Sequence, residues 1–94
     1  MPSKYDAKRV EYVRARRQAV RDFIANDKLT KGCAHCGYNA HSAALDYDHI
    51  DPATKSFNIG AKLYEVGRAK LQAEIDKCQV LCANCHRIHT YVNK

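Results

Sequence analysis

The sequence predicts a small α+β domain: a basic N-terminal helix, two short strands with a helix inserted between them, a terminal helix and a cysteine-held metal. Three observations predict it. Cys33-Ala34-His35-Cys36 and Cys82-Ala83-Asn84-Cys85 are two Cys-x-x-Cys pairs separated by 45 residues, and that local spacing is the spacing of a four-thiolate zinc site. The chain is 94 residues long, which reads as a single domain over 1–94, and a domain this small commonly supplements its core with a metal. The apolar pattern is helical at the N-terminus, alternates in the middle, and then becomes helical again.

The elements follow in order. Residues 5–27 contain no Gly or Pro and are rich in Ala, Arg, Lys, Glu and Gln, so they predict a helix. Val13, Val20 and Ile24 fall on one side, flanked by Val10 and Phe23, and form a ragged apolar face. Thr30 to Gly37 is the first knuckle, with Gly32 and Gly37 supplying turn freedom on either side. Residues 44–50 alternate between turn residues and predict a strand, after which 51–56 is a turn-rich loop. Residues 61–76 predict a helix broken at Gly67, with Leu63, Val66, Leu71 and Ile75 facing inward. Gln79-Val80-Leu81 is a second strand that delivers the chain into the second knuckle, and 84–91 is a terminal helix.

Charge is unevenly spread. The formal net charge is +6, and four thiolates with one Zn²⁺ bring it to about +4. Residues 1–31, the basic helical segment, hold nine Lys/Arg against four Asp/Glu, while residues 32–94, the zinc-stapled core, hold seven against six. A basic third on a nearly neutral remainder suggests a polyanionic partner such as nucleic acid. Arg14, Arg17 and Arg21 either snorkel around a docked helix or rest against a phosphate backbone. The start, Met1-Pro2-Ser3-Lys4-Tyr5-Asp6, has no apolar signal core. No run approaches the ~20 apolar residues of a membrane span. A cytoplasmic setting without a membrane partner is therefore expected, where thiols stay reduced and serve as metal ligands.

Leu45-Asp46-Tyr47-Asp48-His49-Ile50, followed by Cys78-Gln79-Val80-Leu81-Cys82-Ala83-Asn84-Cys85-His86-Arg87 and preceded by the Cys33/Cys36 knuckle, resembles the HNH endonuclease family over roughly residues 33–91. The resemblance implies a ββα-metal (His-Me finger) core in which one divalent ion sits between two strands and a helix. Asp48 matches the family's metal-binding carboxylate, whose oxygen suits Mg²⁺ or Mn²⁺. His49 matches the general base, a role that suits an imidazole titrating near neutrality. His86 matches the last motif histidine, a metal ligand, with zinc ligation beside Cys85 or simple helix-start polarity as its other readings. Cys33, Cys36, Cys82 and Cys85 would hold a structural zinc, and His35 is the alternative ligand in the first knuckle.

One letter of the motif departs from the family. The asparagine that orients the base falls near Cys78, a poor mimic of an amide. Another residue, the backbone or a slipped alignment must then supply that role, with Asn84 and Asn58 as candidates. Cys78 itself reads as a small packed apolar residue. Lys55 and Arg87 join the N-terminal arginines as expected phosphate contacts, with a surface salt bridge as the other reading of Arg87. Thr90 lies one turn beyond His86, within reach of the ion's shell, and His89 reads as solvated.

The resemblance implies hydrolysis of DNA phosphodiester bonds with weak sequence preference. One site cuts one strand, so a double-strand break calls for a homodimer, a larger phage or bacterial assembly, or two successive nicks. Two rivals remain. A non-catalytic zinc-ribbon protein would explain the cysteines and the charge but not Asp48-His49 and His86. A degenerate nuclease serving as an adaptor would explain the departure at Cys78.

Overall fold

Helix formers uninterrupted by Gly or Pro open the chain, and they fold as α1, Lys4–Lys31. The computed structural model describes residues 4–93. Residues 1–3, the start of the expected 1–94 domain, and residue 94 lie outside the described residues. α1 runs four residues past the expected end at residue 27, for local reasons. Lys31 pairs with Asp27 across one turn at 3.0 Å. Gly32, at φ +67°, then closes the helix by donating its N–H to the Lys28 carbonyl at 2.8 Å, the left-handed stop for which glycine is suited.

The first knuckle follows. Gly37 (φ +80°) donates its N–H to the Cys33 carbonyl at 2.8 Å, and Ala34 donates to the Val80 carbonyl at 2.8 Å. The knuckle is thereby tied to the middle of the second strand. Strand β1, Leu45–His49, pairs antiparallel with β2, Cys78–Cys82, in the register Leu45↔Cys82 to His49↔Cys78. β2 extends one residue beyond the expected strand at each end. The helix expected over 61–76 with a break at Gly67 is two helices, α2 (Ile59–Lys62) and α3 (Arg68–Ile75). Gly67 separates them in an extended conformation, ψ 164°, at the N-terminus of α3, and the Asn58 side chain caps α2 by accepting from the Gly60 N–H at 3.1 Å. Helix α4, Ala83–Val92, begins directly at the end of β2. The described residues thus form a small α+β fold of four α-helices and one two-stranded sheet.

Two apolar clusters hold the layers together. Cys33, Leu45, Val80, Leu81 and Cys82 form one, with Leu29 of α1 against it. Ile59, Leu71 and Ile75 form the other, packed by Val20, Phe23 and Ile24 of α1 and by Leu63 and Val66. Tyr47 contacts both. The apolar face expected on α1 is partly buried, and only from Val20 onward. Val10 and Val13 stay 48% and 38% exposed. The cause is length, because 28 residues rising ~1.5 Å each make a rod of about 42 Å and the body of the domain is 30 × 22 Å across. The N-terminal half of α1 therefore outruns the core. Among the described residues, no helix is long and apolar enough to cross a membrane.

Candidate functional site

The register of the hairpin places two different groups at its two ends. At the Leu45↔Cys82 end, the knuckle Cys33/Cys36 meets Cys82/Cys85, and all four sulfurs lie within 4.8 Å of one another. Cys36 and Cys82 Sγ are 3.7 Å apart. A tetrahedron with metal–sulfur bonds of ~2.3 Å has edges of about 3.8 Å, so the spacing fits one tetrahedral ion. The electrostatics of the cluster point the same way. Burial opposes charge at Cys33, but the N–H groups of Cys82, Cys36 and His35 outweigh it and draw that thiol down to about 6. The neighbouring Cys82 sulfur pushes Cys85 up to about 12. Four thiolates this close repel one another, and a dication is what lets them coexist. The cluster is thus a candidate metal site whose four-sulfur set suits zinc. His35 lies outside this set and turns its ring edge to His89, 5.7 Å between centroids.

Along the rest of the hairpin, strand alternation puts Asp46 and Asp48 on one face, and α4 faces them. His86 Nε2 lies 3.6 Å from Asp48 Oδ1, and His86 Nδ1 lies 3.1 Å from Asp46 Oδ2. His89 Nε2 lies 3.6 Å from the other Asp48 oxygen. His89 is thus partly buried beside Asp48 rather than solvated, because the three-residue spacing from His86 keeps both rings on one side of α4. Gln79, the cross-strand partner of Asp48, donates to Asp48 Oδ2 at 3.1 Å.

A cleft of about 540 Å³ opens here, lined by Asp46, Asp48, His49 and His86, with Lys28 on the α1 side and Lys55 on the loop side. Lys28 is half-buried, and desolvation lowers its ammonium against the opposing pull of Asp46. Its position follows from the last turns of α1 docking on β1, where Lys28 lies 5.2 Å from the centre of the Tyr47 ring and Tyr47 hydrogen-bonds Asp27. Lys28 and Asp46 were not singled out in the sequence. Asp46 is two residues from Asp48, and that same-face spacing is the signal that could have found it.

His49 turns away from its neighbour, as strand geometry requires. Its Nε2 lies 2.7 Å from Glu74 Oε2 on α3, and its side chain is only 10% exposed. Cys78, directly across the ladder, bonds the Glu74 carbonyl through its thiol at 3.4 Å and packs in the second apolar cluster. Burial, then Glu74 and Asp48, push that thiol up to about 11. Asn58 lines the cleft from its capping position, and Asn84 is exposed in the first turn of α4.

The expected phosphate contacts are scattered. Arg87 and Thr90 border a surface groove beside Asp46 and His86. Arg14 lies on the projecting half of α1 beside Val10 and Val13. Arg17 sits 5.2 Å over the Tyr64 ring, and Arg21 donates to the Tyr64 hydroxyl at 3.3 Å and to Gln18 at 2.8 Å. These last two arginines help dock α1 while remaining exposed. In comparisons with known proteins, the chain matches no family model, no curated protein and no solved structure.

Proposed function

We propose that the chain is a metal-dependent endonuclease that hydrolyses DNA phosphodiester bonds on a ββα-metal core made of β1, β2 and α4, with a structural zinc on Cys33, Cys36, Cys82 and Cys85. The observation that carries this reading is the convergence of Asp48, His49 and His86 on one cleft flanked by two lysines. These are the three residues that the resemblance assigned to chemistry, and they come from two elements, β1 and α4, separated by 33 residues in sequence.

Asp48 and His86 would hold a divalent ion, which when bound would shield the scissile phosphate and stabilise the leaving 3′ oxygen. His89, facing the second Asp48 oxygen, adds an imidazole to the set, which favours Mn²⁺ over the harder Mg²⁺. Asp46 accepts from His86 Nδ1 and so fixes the tautomer that leaves Nε2 for the metal. His49 takes a proton from the attacking water. Lys28 and Lys55 supply positive charge on opposite sides of a groove for an anionic backbone. A single site of this kind cuts one strand at a time, with the low intrinsic sequence preference that the resemblance implies.

Nicking of supercoiled plasmid tests the proposal, with wild type and His49→Ala assayed in Mg²⁺, in Mn²⁺ and in EDTA, and zinc content followed in parallel. The expected outcome is metal-dependent nicking that falls about 10²–10⁴-fold in His49→Ala. Equal cutting by both chains, or binding of DNA with a steep salt dependence and no cutting in any metal, would replace this reading with the zinc-ribbon or adaptor one.

A further inference from the structure

The inserted helix α3 delivers one carboxylate into the interior. Glu74 is 2% exposed and is the one buried charged residue among those described. A carboxylate removed from water must be paired and hydrogen-bonded, and Glu74 is satisfied on three sides. Its Oε1 accepts from Lys77 Nζ at 2.9 Å, while its Oε2 accepts from the Ser56 backbone N–H at 3.0 Å and lies 2.7 Å from His49 Nε2. Lys77 in turn donates to the Thr54 carbonyl at 2.8 Å and to the Ser56 hydroxyl at 3.0 Å. The network therefore gathers the end of β1, the loop after it and the C-terminal end of α3 around one imidazole.

We propose that Glu74 is the positioning residue of His49, holding its Nε2–H so that Nδ1 is the nitrogen presented to the cleft. The inference rests on the nuclease reading above and specifies how its base is oriented. It fills the place left open by Cys78, whose thiol is spent on the Glu74 carbonyl and touches no ring nitrogen of His49 among the described contacts. Burial alone would raise the carboxyl of Glu74, but Lys77, the Ser56 N–H and His49 outweigh it and hold it at about 2. Glu74 thus stays anionic and acts as an acceptor only. The proton balance follows. Water gives its proton to Nδ1 of His49, its oxygen bonds phosphorus as the P–O3′ bond breaks, and the 3′ oxygen takes a proton from solvent. The imidazolium so formed keeps Nε2–H on Glu74 until it loses the other proton to solvent.

The alternative role for Glu74 is to pin the loop at Ser56 without affecting catalysis. A double-mutant cycle separates the two. Glu74→Gln, His49→Ala and the double variant are assayed at saturating DNA, with KM, melting temperature and zinc content measured on the same preparations. Glu74→Gln is expected to lower kcat about 10²-fold by misplacing the base, to leave KM near the wild-type value, and to cost nothing further in the His49→Ala background. Losses that multiply in the double variant, or a loss carried by KM alone, would overturn the positioning role while leaving the nuclease reading in place. A His49→Ala chain that cuts at the wild-type rate would overturn both.

Should Glu74→Gln fail to fold, the wild type itself supplies the second measurement. Long-range ¹H–¹⁵N spectra report which ring nitrogen carries the proton in neutral His49. The Nε2–H tautomer is expected, and the Nδ1–H tautomer would overturn the proposal.

Discussion

The two ends of the β1–β2 hairpin are held in opposite ways. Where Leu45 meets Cys82, the chain is joined by four sulfurs spaced for one ion, beside a cluster of apolar side chains. Where His49 meets Cys78, it is joined by a buried carboxylate with an ammonium, a backbone N–H and an imidazole around it. The first end is a closed donor set that suits a staple. The second leaves Asp48, His49 and His86 lining a cleft. The contrast teaches that one short hairpin can carry a four-sulfur set at one end and a buried charged network at the other, about four residue pairs apart, provided α4 starts beside the sulfurs and runs back over the sheet.

That contrast can be broken from either side. The largest effect is expected at the staple. Zinc binding in small zinc-finger peptides is worth roughly 10–16 kcal/mol, against a typical total stability of ~5–15 kcal/mol. Cys82→Ser is therefore expected to lose both bound zinc and the cooperative thermal transition, as read by metal analysis and circular dichroism. Under the proposed nuclease reading, Asp46→Asn is expected to retain the fold and zinc while weakening Mn²⁺ binding about 10–100-fold, the usual cost of losing a carboxylate that orients a metal-binding imidazole; the Mn²⁺ dependence of nicking measures this.

The smallest effect concerns pH. The carboxyl of Glu74 is held at about 2, below its usual 4.5. Its contribution to stability is thus complete above pH 4.5 and is lost as the pH falls toward 2. The difference in melting temperature between wild type and Glu74→Gln should accordingly be present at pH 6 and shrink through that window. A difference that grows on acidification would contradict the assignment.

Local patterns in the sequence foretold the staple end well. Two Cys-x-x-Cys pairs imply two knuckles wherever the intervening chain goes, and the alternation around Leu45–His49 and Val80 implies the strands that carry them. The adjacency of Asp48 and His49, and of Cys85 and His86, likewise survives any detail of the insertion. What sequence could not reveal arises from packing between distant elements. Glu74 lies three residues after Leu71 and beside Ile75, on the stripe expected to face inward, yet a lone Glu in a mixed helix ordinarily reads as solvated. Only the docking of α3 against the hairpin, chiefly on β2, shows that it is buried. Lys28 and Asp46 were hidden for the same reason, since their roles depend on α1 and α4 meeting across β1. Val10 and Val13 failed as core residues because periodicity gives the direction of an apolar face but not the extent of the body it packs on.

The division between staple and working cleft is tested most directly by Asp48→Ala, with zinc content and plasmid nicking in Mn²⁺ measured on one preparation. The account predicts a folded chain that keeps its zinc and no longer nicks. Nicking at the wild-type rate, or loss of zinc together with activity, would contradict it.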